Sequence, residues 1–314
     1  MKMRKVIATS LVGVMSAMTI TACGNKVKLP EEPAEIYKVA NEQMQELDSY
    51  AMDGSLTLKG NAAGQDLDVS GTINAVYFKE PMKMKMDMNI SAMGQSMDMS
   101  MYFMKEDDNY TSYTCAAGTW MKQTLDAEDE DNKQLIDMLE NGMTATGDDS
   151  LDYSKYISKS ETKAEEGTTA LDFSMNGEQM AELLSSMGMD EQMAAAGVST
   201  DLFKGLGEFK ATFVLDNKTA QWKSMDADMT EFMQGLMDTI MDAMNATAQS
   251  EETEKDKDKK DETEEVSITI DECKMNVTYD KLNEAEDFEL PEEAKNAQDI
   301  SDLSGMTDDI ATEE

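Results

Sequence analysis

The chain has 314 residues, with 65 Asp or Glu against 27 Lys or Arg and a formal charge of −38. It has no histidine, and Arg4 is its sole arginine. That balance excludes bidentate phosphate clamps, His-based nucleophile activation and imidazole metal ligands, and it repels nucleic acid and anionic head groups. Hydrophobic residues make up 40%, enough for a substantial core.

Lys2, Arg4 and Lys5 precede an uncharged apolar run over residues 6–22, the pattern of an export signal and too short for a membrane span. At its end Ile20-Thr21-Ala22-Cys23-Gly24 resembles the lipobox of bacterial lipoproteins. That likeness implies diacylation of Cys23 and a two-chain anchor on the outer face of the cell membrane. Residues 23–33 read as a tether. Ile36, Val39, Ala40, Met44 and Leu47 then recur at helical spacing, with Pro33 suited to the first turn.

Alternation begins at residues 50–58 and 67–77, where the expected register places Gly54 opposite Gly71. It is strongest over residues 82–104. There the apolar positions are even before Gly94 (Met84, Met86, Met88, Ile90) and odd after it (Met97, Met99, Met101, Phe103). A two-residue turn at Met93-Gly94 resolves the switch and pairs Ile90 with Met97, Met88 with Met99, Met86 with Met101 and Met84 with Phe103. One face is nearly all methionine. The other carries Lys83, Lys85, Asp87, Asn89, Asp98 and Ser100, so the sheet is expected to be half buried and half wet.

Strands are expected at residues 109–115 and 119–125 around Ala116-Ala117-Gly118. A helix is predicted over 126–140 with a glycine stop, strands over 153–163 and 168–175, and a helix from Gly177 capped by Asn176. Residues 188–205 read as loop with helical turns. Phe209, Ala211, Phe213 and Leu215 form a strand that returns through Trp222, expected opposite Phe213. Met229, Phe232, Met233, Leu236, Met237, Ile240, Met241 and Met244 then form a helical stripe. Residues 249–265 are a charged run expected to lack order. A strand over 266–279 changes parity near Asp271-Glu272, which predicts a bulge. Phe288, Leu290 and Pro291 close the domain, and 297–314 form an acidic tail.

The lipobox, the helix ending near Asp48-Ser49-Tyr50, the methionine hairpins, Gly118-x-Trp120-Met121-Lys122 and Phe288-Glu289-Leu290-Pro291 together resemble an uncharacterised family of Gram-positive-type lipoproteins related to the LolA/LppX-like fold. The likeness spans residues 34–296, with 229–265 as an insertion. It implies an α+β domain: a strongly curved antiparallel sheet, like an open barrel, closed by helices around an apolar cavity. Relatives of that fold carry lipids or acylated proteins. The internal arginine of some LolA proteins has no counterpart here.

The expectation is a monomeric, non-enzymatic lipoprotein without cofactor, held at the cell membrane through Cys23 and binding a lipid or lipidated ligand. Its cavity would be lined by Met84, Met86, Met88, Ile90, Met97, Met99, Met101 and Phe103. Met229, Phe232, Met233, Leu236, Met237, Ile240 and Met241 would form a lid. One alternative is a surface interaction protein with a solid core. Another is Cu(I) or Ag(I) binding by the Met-x-Met runs, since thioether sulfur is a soft ligand. Strand alternation by itself also generates Met-x-Met. Cys115 and Cys273 are either a bridge or separate thiols.

Overall fold

The computed structural model describes residues 27–300 apart from 93, 107–108, 128–131, 133–135, 137–139, 141–154, 162–164, 187–199 and 252–267. Cys23, the charged run from residue 252 and the tail beyond 300 therefore lie outside the described residues, as does most of the predicted 126–140 helix. Of that helix, Asn132, Ile136 and Glu140 are helical.

Strands β1 (Ser49–Ala62), β2 (Gln65–Phe78), β3 (Lys83–Ala92), β4 (Gln95–Glu106), β5 (Asn109–Ala116) and β6 (Thr119–Leu125) form an antiparallel meander. Tight turns set its register. Ala63 and Gly64, and again Ala117 and Gly118, both have positive φ, the backbone that two-residue primed turns require and that matches strand twist. Pairing across β3 and β4 follows the expected register, with Met84 opposite Phe103, Met86 opposite Met101, Met88 opposite Met99 and Ile90 opposite Met97. The first hairpin differs. Its strands extend to the Ala63-Gly64 turn, so Gly54 faces Ile73 and Leu56 faces Gly71, two residues away from the expected register.

β7 (Ile157–Lys159), β8 (Thr168–Met175), β9 (Phe209–Asp216), β10 (Trp222–Asp228) and β11 (Ile268–Asp280) continue the sheet on the far side of β1, and β12 (Gln298–Asp299) joins β6 in parallel. The full order is β12-β6-β5-β4-β3-β2-β1-β11-β10-β9-β8-β7. Of the strand expected over 153–163, the described residues show β7. Trp222 pairs with Leu215, and an irregularity at Lys223 then places Met225 opposite Phe213. Trp222 meets Phe213 diagonally instead, ring centres 5.3 Å apart. The bulge in β11 lies at Asp271, between Glu272 opposite Lys59 and Ile270 opposite Gly60.

Helix α1 (Pro33–Gln45) buries Ile36, Tyr37, Ala40 and Met44. Tyr37 packs on Phe213 and Trp222 at 5.5 and 5.4 Å, and the Trp222 indole N–H donates to Asn41 Oδ1 at 2.9 Å. Large apolar side chains contribute about 1.5–3 kcal/mol each when buried, so this face suffices to dock the helix. Twelve strands laid flat would span roughly 50 Å at their usual spacing. Yet Leu125 of β6 and Ile157 of β7 belong to the same cluster as α1, so the sheet curves around the helix without closing.

Beyond the helical residues at 132, 136 and 140, the described residues form α2 (Gly177–Ser186), α3 (Thr230–Glu251) and α4 (Glu292–Lys295), with a 3₁₀ helix at Thr200–Gly205. Asn176 caps α2 as expected. Its Oδ1 accepts from Gln179 N, and Gln179 Oε1 accepts from Asn176 N, both at 2.9 Å, a reciprocal capping box. α3 runs past residue 249 to Glu251, so the charged run begins as helix.

The convex face is not uniformly wet. Tyr102 and Tyr113 are buried there beneath Ala294, with Trp120, Phe288, Leu290 and Ala297 packed around them. The chain after β11 crosses this face as a strap and ends in β12, where Ile300 N donates to Lys122 O at 2.8 Å. The Lys83 ammonium lies 5.0 Å from the Phe78 ring and 5.1 Å from the Phe288 ring and pairs with Asp287.

Candidate functional site

The concave face has two unlike halves. Around α1 it is closed: Tyr50, Tyr77, Met84 and Phe103 are all below 5% exposure. Toward the hairpin turns it opens. Leu56, Leu58, Leu67, Val69 and Ile73 on β1 and β2 are half-buried, as are Met86, Met88, Met99 and Met101 on β3 and β4. Ile90 is 44% and Met97 55% exposed. Period-2 alternation places these side chains on one face, to which Gly54 and Gly71 add no side chain. A Cβ at either glycine would meet nothing closer than 3.6 Å. The result is an apolar trough in the sense of a curved open face, covered by α1 at one end and uncovered at the other.

Of the expected cavity residues, Met84 and Phe103 therefore sit in the closed core, Met86, Met88, Met99 and Met101 in the trough, and Ile90 and Met97 at its mouth. The expected lid helix lies elsewhere. α3 packs mainly on β11, β9 and the 3₁₀ helix, and β2 and β1 separate β3 from β11. Its Phe232, Met233, Leu236, Met237 and Met241 are half-buried and Ile240 is 39% exposed, while Met229 lies just ahead of the helix.

The placement of α3 follows from the end of β10. From Cys273 back to Ile268, β11 has no strand on that side among the described residues, which leaves backbone donors and acceptors in need of partners. α3 supplies them. Met229 N donates to Cys273 O at 2.8 Å, Cys273 N to Thr230 Oγ1 at 2.9 Å, Ile270 N to Gln234 Oε1 at 2.6 Å, and Gln234 Nε2 to Ile268 O at 3.2 Å. Glycines bring the other side of the helix into backbone contact with residues 205–207. A Cβ on Gly207 would lie 2.4 Å from Glu231 O, and one on Gly235 2.9 Å from Gly207 N. The sequence reading missed this seam, although a glycine inside a helical stripe signals close packing.

Two clefts of about 480 and 440 Å³ flank the start of α3 on the polar side of the sheet. They are charged, and their cations are already engaged: Lys210 with Glu208 at 2.9 Å and Lys274 with Glu272 at 3.2 Å. The Ser174 hydroxyl and then Lys210 hold the Glu208 carboxyl below its ordinary range, and Lys274 and Lys59 do the same for Glu272. Cys115 is partly exposed in β5 and Cys273 buried in β11, and both are free. Burial raises the Cys273 thiol pKa, which makes it unreactive. Among the described residues no group of three His, Cys, Asp or Glu is placed to hold a metal ion.

These features define an α+β protein with an open, curved, mainly antiparallel sheet and an apolar trough on its concave side. The chain belongs to the family of unknown function DUF6612, whose profile matches residues 32–299. No curated protein matches it. Among solved structures it is similar to LprF from Mycobacterium bovis, with a TM-score of 0.38 and 11% identity over 84% of this chain and 99% of that one.

Proposed function

We propose that this protein is an extracytoplasmic lipoprotein, anchored through a diacylated Cys23, that binds an apolar or lipidated ligand in the trough. One observation carries the reading: a continuous run of Leu, Val, Ile and Met on the concave face is only half-buried, and it ends in Met97 at 55% exposure. Exposed contiguous apolar surface marks a binding site, and methionine adapts to ligands of varied shape. The resemblance to the LolA/LppX-like fold points the same way. In this reading α3 is a fixed wall, held by its bonds to β11, and the ligand enters past the hairpin turns.

Fluorescence of N-phenyl-1-naphthylamine should rise when it is mixed with the full-length chain, and native mass spectrometry should find co-purified lipid. Met97→Asp should weaken the probe about fivefold while Met97→Leu retains it, since roughly half of a methionine side chain's transfer free energy is at stake. Failure of the probe to bind, with no co-purified lipid, would favour a partner protein seated on the same open face. Cys23→Ala should release the protein from membranes or leave it unprocessed; a variant processed at the same bond and still membrane-bound would overturn the anchor.

A further inference from the structure

The chain is fastened to the domain close behind Cys23. Val27 N donates to Lys218 O at 2.9 Å, and Val27 and Leu29 pack against the cluster that holds α1. Lys218 lies in the turn between β9 and β10, and Ser224, just past that turn, stands level with Thr278 of β11 and through it with Asp53 of β1. The turn is therefore at the Ser49 end of the sheet, the end that α1 closes. Four residue steps separate Val27 from Cys23, a reach of at most about 14 Å.

The trough opens toward the opposite end. Met97 pairs with Ile90, Ile90 with Gly71 and Gly71 with Leu56, so the exposed methionine stands level with a residue seven places along β1 from Ser49. Leu67 stands level with Gly60, eleven places along. At the usual rise per residue these rows lie about 23 and 36 Å from the closed end. The hydrocarbon of one leaflet is only about 15 Å thick, so a lipid beneath the closed end would have to leave its leaflet altogether before reaching them.

We propose that the domain stands on its closed end, with the open part of the trough directed away from the leaflet that holds the anchor, and that its ligand is exchanged on that outer side. This rests on the diacylated Cys23 of the reading above and adds the direction of exchange. The short reach keeps the closed end at the surface, and charge keeps the other end off it. Asp66, Asp68 and Asp98 are exposed near the hairpin turns, and an anionic bilayer repels them.

The test sets the lipidated protein on vesicles of phosphatidylcholine and phosphatidylglycerol that carry a rhodamine-labelled lipid. With Cys115→Ser as background and Cys273 buried, Lys218→Cys and Asp66→Cys each take a donor dye at one end of the sheet. Energy transfer from residue 66 should be about half that from residue 218 or less, since most of the length of β1 separates the two. Equal transfer, or stronger transfer from residue 66, overturns the orientation. In the same background Met97→Cys should react with a polyethylene glycol maleimide on vesicles within about twofold of its rate in the unlipidated chain in solution, whereas protection of about tenfold would mean that the open face is seated in the bilayer interface. Neither readout needs a ligand, so an overturned orientation leaves the trough reading intact. Failure of the lipidated protein to bind vesicles overturns the anchor and the orientation together.

Discussion

At Glu140 one carboxylate ties a helix to the sheet. Its Oε1 accepts from the Tyr110 hydroxyl and from Lys105 Nζ, the latter at 3.0 Å, while the backbone oxygen of the same residue accepts from Tyr77 at 2.8 Å. The Tyr110 and Lys105 donors hold the Glu140 carboxyl below its ordinary 4.5, and burial with the nearby carboxylate pushes Tyr77 up to about 12. A depressed carboxyl stabilises the fold above its unfolded pKa and loses that contribution as pH falls through the folded value. The pair is partly exposed, so solvent screening limits its worth to about 0.5–1 kcal/mol. Glu140→Gln should therefore be less stable than the parent near neutral pH by about that amount, and the two should converge as pH falls through the depressed folded value. Denaturant titrations at both ends of this range check it; a gap that persists in acid would mean that shape, and not charge, holds the contact.

At the scale of elements, the seam between α3 and residues 205–207 is a backbone contact, and backbone cannot yield as a side-chain tip does. Gly207→Ala places a Cβ 2.4 Å from Glu231 O and 2.5 Å from Glu231 C, so the helix must shift, at a cost of about 1–3 kcal/mol. Gly205→Ala is the internal control, since its Cβ would meet only Thr239 Oγ1 at 3.7 Å. Thermal unfolding should separate the two variants, and equal stability would show that the seam is loose. This seam also marks what the sequence could convey. The methionine hairpin was legible to the residue because a parity switch and a two-residue turn fix register together. So was the Asp271 bulge, which leaves the same parity mark. The Gly54–Ile73 pairing was not, because β1 and β2 extend into a polar stretch where alternation fades. Trp222 was misplaced by one irregularity at Lys223. α3 was legible as a helix yet not in position, since its partners are the unpaired backbone groups of β11, and no side-chain pattern announces those.

Over the whole molecule the sheet uses its faces differently: the concave side holds α1 and the trough, and the convex side holds polar ladders and the strap. Rungs such as Asn89 Nδ2 to Asp98 at 2.6 Å and Ser100 Oγ to Asp87 at 2.7 Å make much of the convex face self-satisfying, so the apolar cover is concentrated on Phe78, Tyr102, Tyr113 and Trp120. Phe288 provides it, with its ring 5.8 Å from Tyr102 and 6.0 Å from Phe78. The candidate ligand surface lies on the other side of the same strands. Damage to the strap should consequently cost stability without costing affinity. Phe288→Ala removes a half-buried ring and should destabilise by about 2 kcal/mol, less than for a fully buried phenylalanine. Trp120 emission should shift toward the red as its cover loosens, while binding of N-phenyl-1-naphthylamine at temperatures well below unfolding stays within about twofold of the parent. A probe affinity that fell in step with stability would mean that the curvature of the trough depends on the strap, and the two faces would then have to be treated as one coupled device.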